Sequence, residues 1–208
     1  MIITHLKPEE EVARSLDGVR ALFIVGCGLC ATSCQTGGEK EVSAWTEKLR
    51  ARGLTVTGSV ICDSPCDERL VKRDFAANKA AIAAADALLV LACGVGVQVS
   101  ADVAEKRAVP ALNTSALAKI QRIGVNQEYC RQCGDCVLAD TAGICPVTRC
   151  AKGLRNGPCG GAHDGKCEVE TDRDCAWQLI LKRLTPADKE RLLALRPPRD
   201  HRKQGQKP

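Results

Sequence analysis

A chain of 208 residues can bury one ordinary core and a smaller second one. Its formal charge of +5 suggests nucleic acid, but Arg196, Arg199, Arg202, Lys203 and Lys207, opposed only by Asp200, put most of the excess in the last 13 residues. With two Trp, one Tyr and two Phe there is little to stack on bases, so nucleic-acid binding is excluded.

The first stretch, MIITHLKPEEEVARSL, carries no basic segment followed by an apolar one, and nowhere do about 18 uncharged apolar residues follow one another. The expectation is a cytoplasmic protein with no membrane span. Thiols stay reduced there, and dense cysteine means metal more often than disulfide.

Residues 20–25, RALFIV, form an apolar run of strand length that stops at a glycine. A helical pattern follows over about 39–52, a second strand over 54–61, an alanine-rich helix over 68–85 and a third strand over 87–92. A helix over 97–107 and a weak fourth strand over 108–112 complete the alternation. Strands alternating with helices predict a Rossmann-like α/β domain with a parallel sheet, residues 1–125.

After Val125 glycine, proline and cysteine crowd the chain, and no periodicity outlasts one turn before Cys175. Residues 126–184 are therefore expected to be a small, irregular, cysteine-rich domain held by its ligands. A helix from Ala176 to about Leu184 closes it, and Thr185-Pro186-Ala187-Asp188 starts another that runs to about Leu195. This last segment, 185–208, ends in a basic tail expected to be disordered.

Fourteen cysteines lie in two groups, six before residue 100 and eight between Cys130 and Cys175. Histidine is scarce, so a metal site must be nearly all thiolate, which selects iron-sulfur clusters or zinc.

In the first group, Cys27, Cys62 and Cys93 each follow a strand, and parallel α/β sheets gather such strand ends on one rim. Cys27, Cys30 and Cys34 form C-x2-C-x3-C, three thiolates able to hold three corners of a 4Fe-4S cube. Cys93 is the first choice for the fourth, with Cys62 and Cys66 in reserve.

Gly26, Gly28 and Ala31 in the same loop fit a pyrophosphate-binding fingerprint. That fingerprint needs a helix beginning inside it and an acid about 20 residues on. Here Thr36-Gly37-Gly38 breaks the helix, and Asp63 lies 32 positions beyond Ala31. Metal is the favoured reading, and a nucleotide the weaker alternative.

In the second group, Cys130, Cys133 and Cys136 have the C-x2-C-x2-C spacing of bacterial ferredoxins, and Cys145-Pro146 repeats their Cys-Pro detail at a longer interval. Cys150, Cys159, Cys167 and Cys175 bring the total to eight, enough for two four-thiolate sites, for one cluster and one zinc, or for one cluster with spare thiols. Gly157, Gly160 and Gly161 let the backbone around Cys159 approach closely and aim N–H groups at sulfur.

The run GDCVLADTAGICPVTRCAKGLRNGPCGG, with CEV and DCAW after it, resembles the cysteine-rich segment of the methylenetetrahydrofolate reductase C-terminal family. The likeness is sharp over Cys130 to Trp177 and looser around Cys27, Cys30 and Cys34. It implies a small iron-sulfur subunit, of the kind found in acetogen-type enzymes, beside a flavin-bearing catalytic subunit that reduces methylenetetrahydrofolate.

On that footing the chain carries two 4Fe-4S clusters, or three, with zinc still open, and no catalytic residue of its own. The flavin belongs to the partner, and a further iron-sulfur or heterodisulfide-reductase-like module is the expected electron donor. A structural zinc subunit of the same enzyme is the principal alternative.

Overall fold

The computed structural model describes residues 1–197. The chain divides into two compact units, Met1–Gln127 and Glu128–Pro208. The basic tail expected to be disordered falls, from residue 198 onward, outside the described residues.

The first unit is built on four parallel strands in the order β3-β2-β4-β5: β2 (Ala21–Cys27), β3 (Thr55–Cys62), β4 (Ala87–Leu91) and β5 (Ala108–Pro110). Leu22 to Val25 on β2 and Leu88 to Leu91 on β4 are fully buried, as central strands covered on both faces should be. Each such side chain contributes roughly 1.5–3 kcal/mol of transfer free energy.

Helices pack on this sheet through one apolar stripe each. In α3 (Glu39–Ala51) the stripe is Val42, Trp45 and Leu49; in α4 (Glu68–Ala77) it is Val71 and Phe75. Phe75 meets Phe23 edge to face, with ring centroids 6.5 Å apart. Asp67 caps α4 by accepting the Arg69 N–H.

The single helix expected over 68–85 is two, α4 and α5 (Lys79–Ala83), broken at Asn78. The Asn78 side-chain amide donates to the Asp74 carbonyl at 2.8 Å, taking the acceptor that an unbroken helix would offer to the backbone. The helix expected over 97–107 is α6 (Gly94–Ala104), which begins directly after Cys93 and ends where Glu105 turns left-handed at φ 49°.

Three elements of the first unit, and a strand that runs out of it, carry no clear sequence pattern. Strand β1 (Ile2–Leu6) pairs antiparallel with β6 (Leu112–Arg122) in a second sheet of order β1-β6-β7. A short helix, α1 (Glu9–Ser15), follows β1, and the unit boundary after Gln127 falls within β7 (Val125–Cys130). The Thr4 and Thr36 hydroxyls, 2.7 Å apart and buried, tie β1 to the loop after β2.

The second unit has a much smaller core: Ile144, Ala176, Trp177, Ile180 and Leu184. Its regular elements are α7 (Pro146–Arg149), α8 (Ala176–Arg183) and α9 (Pro186–Arg191), the last capped by Thr185, whose hydroxyl accepts the Asp188 N–H. Helix α9 stops short of the expected Leu195. Among the described residues no helix is long and apolar enough to cross a membrane.

Candidate metal centres

All fourteen cysteines are among the described residues and none is in a disulfide. In the first unit the sheet register sets Cys27 directly beside Cys62, as the last matched pair of β2 and β3. Cys93 follows the end of β4 on the other side of β2, so the three strand ends reach one edge of the sheet.

The loop after β2 wraps around the Cys27 sulfur. Cys27 N–H donates to the Gly37 carbonyl at 2.9 Å, Gly28 N–H to the Cys62 carbonyl at 2.8 Å, and the Thr32 hydroxyl to the Cys27 carbonyl at 2.7 Å. Burial pushes the Cys27 thiol pKa up, while the N–H groups of Ala31, Leu29 and Cys30 aim at its sulfur and pull it back down. The nearby Cys30 thiol adds to the upward push.

Cys30 opens the single-turn helix α2 (Cys30–Ser33) and Cys34 closes it, four residues on and thus on the same helix face. The Cys34 thiol donates to the Ile2 carbonyl of β1 at 3.7 Å.

The reserves, Cys62 and Cys66, are in different states. Cys62 is fully buried and its pKa is pushed up to about 12, first by burial and then by the Asp74 carboxylate to which the thiol hydrogen-bonds. Cys66 is exposed, 3.2 Å from the Ser64 hydroxyl.

The glycines of this loop have internal partners. A Cβ on Gly26 would come within 2.7 Å of the Gly37 carbonyl oxygen and 2.5 Å of Ile61, and one on Gly37 would collide with the Leu91 carbonyl. Gly28 lies against the backbone of Cys62 and Asp63. These residues are glycine because chain packs on chain there, and α2 has only four residues before the chain turns. The loop therefore lacks the long helix that a pyrophosphate site requires.

In the second unit Cys130 ends β7, and the Gln132 N–H donates to its sulfur at 3.4 Å. Left-handed Gln132 and Gly134 curl the chain through Cys133 to Cys136. Cys145 stands at the start of α7, its thiol 3.7 Å from the Thr148 hydroxyl. The Arg149 guanidinium, one turn on, lies 5.2 Å from the centre of the Tyr129 ring, next to Cys130.

Cys150, Cys159, Cys167 and Cys175 line one cavity, along with Arg149, Lys152, Glu168, Asp174 and Trp177. Cys167 N–H is held by the Arg173 carbonyl at 2.9 Å and Cys175 N–H by the Gly165 carbonyl at 2.8 Å. Gly160, at φ 82°, turns the chain so that the Gly161 N–H points at the Cys159 sulfur, 3.5 Å away.

The Cys159 thiol donates to Glu168 at 3.1 Å, and Lys152 pairs with the same carboxylate. Lys152, then the Cys159 thiol, hold Glu168 below the usual carboxylate range. Lys152, Glu168 and Trp177 were not expected here from spacing: sixteen residues separate the ion pair, and the only hint was that Glu168 and Trp177 adjoin the CEV and DCAW cysteines.

Among the described residues no three Cys, His, Asp or Glu side chains converge on a site for a single ion. The donor set still fits a soft metal group: thiols dominate it, and backbone N–H groups point at Cys27, Cys130 and Cys159.

Comparison with known proteins adds one finding. Residues 109–202 match the family model described as "Methylene-tetrahydrofolate reductase C terminal". The matched stretch includes all eight cysteines from Cys130 to Cys175, whereas Cys27, Cys30, Cys34 and Cys93 lie outside it. No curated protein and no solved structure matches the chain.

Proposed function

We propose that the chain is an iron-sulfur electron-transfer subunit of a methylenetetrahydrofolate reductase complex. One observation carries the reading: the stretch similar to the C-terminal part of that reductase holds eight cysteines outside any disulfide, four of them around one cavity.

Bound 4Fe-4S clusters would supply one-electron transfer, and the chain's own residues would hold and tune them. Cys130, Cys133, Cys136, Cys145, Cys150, Cys159, Cys167 and Cys175 are the ligands assigned to the second unit. Cys27, Cys30, Cys34 and Cys93 are those assigned to the first. The N–H groups of Gln132 and Gly161, directed at sulfur, favour the more reduced and more negative state of whatever the sulfur binds.

The partner in this reading is a flavin-bearing catalytic subunit that performs the folate chemistry, with a further iron-sulfur module upstream. The setting is cytoplasmic, where the thiols would stay reduced.

Anaerobic purification followed by iron, sulfide and zinc counts tests it. About four or more irons per chain with matching sulfide, and an EPR signal on reduction, are expected for cluster binding. Zinc without iron would overturn the reading in favour of a structural subunit.

A further inference from the structure

We propose that Cys150, Cys159, Cys167 and Cys175 are the complete thiolate set of one centre. Cys130, Cys133, Cys136 and Cys145 form another, and no ligand crosses between the two. The inference rests on the metal-binding reading above and goes past it, because cysteine spacing leaves the pairing open: in two-cluster ferredoxins the last cysteine of a run ligates the other cluster.

The cavity decides the matter for the first set. Four of the unit's eight cysteines line it, and they arrive from four separate places: the end of α7, the glycine-rich turn, the loop after His163 and the start of α8. The latter two are pinned by backbone hydrogen bonds, Cys167 to Arg173 and Cys175 to Gly165. Trp177 closes one side, its indole N–H held by the Leu154 carbonyl at 3.0 Å. Four thiols on one cavity are the number that either a 4Fe-4S cube or a tetrahedral zinc takes.

Cys145, which carries the ferredoxin-like Cys-Pro detail, does not line this cavity. It sits at the opposite end of α7 from Cys150. Arg149 lines the cavity and also lies over the ring of Tyr129, the sequence neighbour of Cys130. A cation placed there offsets the repulsion between two anionic thiolate centres.

The test uses the full chain, purified anaerobically with its metal. Increasing amounts of an iron and zinc chelator are added, the protein is alkylated with iodoacetamide, and the label on each cysteine is read by mass spectrometry. Cys150, Cys159, Cys167 and Cys175 should gain label together in one step, and Cys130, Cys133, Cys136 and Cys145 in a different one. Labelling of Cys145 with the cavity set, of any cavity cysteine with Cys133, or of all eight in a single step would overturn the pairing.

Metal counts on variants give a second measure. Cys159→Ala and Cys167→Ala should each remove the same quantity of metal, and the double variant no more than either alone. Cys133→Ala combined with Cys159→Ala should remove the sum of its two single losses. Additive loss for Cys159→Ala with Cys167→Ala would overturn the pairing. A wild-type chain that binds neither iron nor zinc would instead sink the metal reading itself, and iron with sulfide against zinc alone identifies the centre.

Discussion

The two units solve the same problem in opposite ways. In the first, contiguous apolar strands and three-turn helices bury a core that includes Leu22 to Val25, Leu88 to Leu91, Trp45 and Phe75. The metal candidates are mounted on its rim. In the second, the buried apolar cluster among the described residues is five residues, Trp177 included, and the eight cysteines are half-buried or exposed, four of them lining one cavity. On the proposed metal-binding reading, a fold with so little apolar burial would depend on what its thiolates hold.

Metal removal should separate the units most sharply. After chelation, amides in residues 128–197 should lose hydrogen-exchange protection outright, while those of β2 and β4 keep theirs. Equal protection in both units before and after would contradict the contrast.

Core truncation comes next. Phe23→Ala and Trp177→Ala should each cost about 3–5 kcal/mol in urea unfolding, yet, on the proposed metal-binding reading, only Trp177→Ala should lower the metal content of the second unit. Loss of that metal in Phe23→Ala as well would show that the units are not independent.

Gly37→Ala sharpens the reading of the first loop. The new Cβ meets the Leu91 carbonyl, a backbone atom that cannot swing aside, so a cost of about 1–3 kcal/mol is expected. Thermal unfolding that matches wild type would show that the loop has room, and would reopen the question of what its glycines are for.

The smallest effect concerns Asp67. Its hydrogen bond with the Arg69 side chain lowers its pKa to about 2 from an ordinary 3.8, so its contribution is present above pH 3.8 and lost as pH falls toward 2. Asp67→Asn should flatten the acid limb of first-unit stability in that window, as read from unfolding midpoints. Because the group is exposed, the change should be slight.

Much of the first unit was legible because fully buried strands are written as apolar runs: RALFIV and ALLVLA sit where β2 and β4 lie. The antiparallel sheet was not, because β6 reads LNTSALAKIQR, mostly polar and mostly exposed, with no clean alternation. The Asn78 break was hidden in an alanine-rich run whose propensity is helical throughout. The strand-end cysteines could be placed once the sheet was recognised, since topology alone sends Cys27, Cys62 and Cys93 to one edge. Spacing could not reveal that Cys150, Cys159, Cys167 and Cys175 share a cavity, because their intervals of eight to nine residues carry no helical or strand period.

Helix α7 sets a limit on how this segment can change in length. Cys145 and Cys150 bracket one helical turn that begins at Pro146. Each residue added to such a turn rotates everything after it by about 100° and advances it by about 1.5 Å. A surface loop would absorb an insertion there; this turn would swing Cys150, and the chain that follows it, away from Cys145 and the chain before it. The four residues Pro146 to Arg149 thus act as a keyed spacer, whose length is constrained more tightly than the identity of the side chains within it.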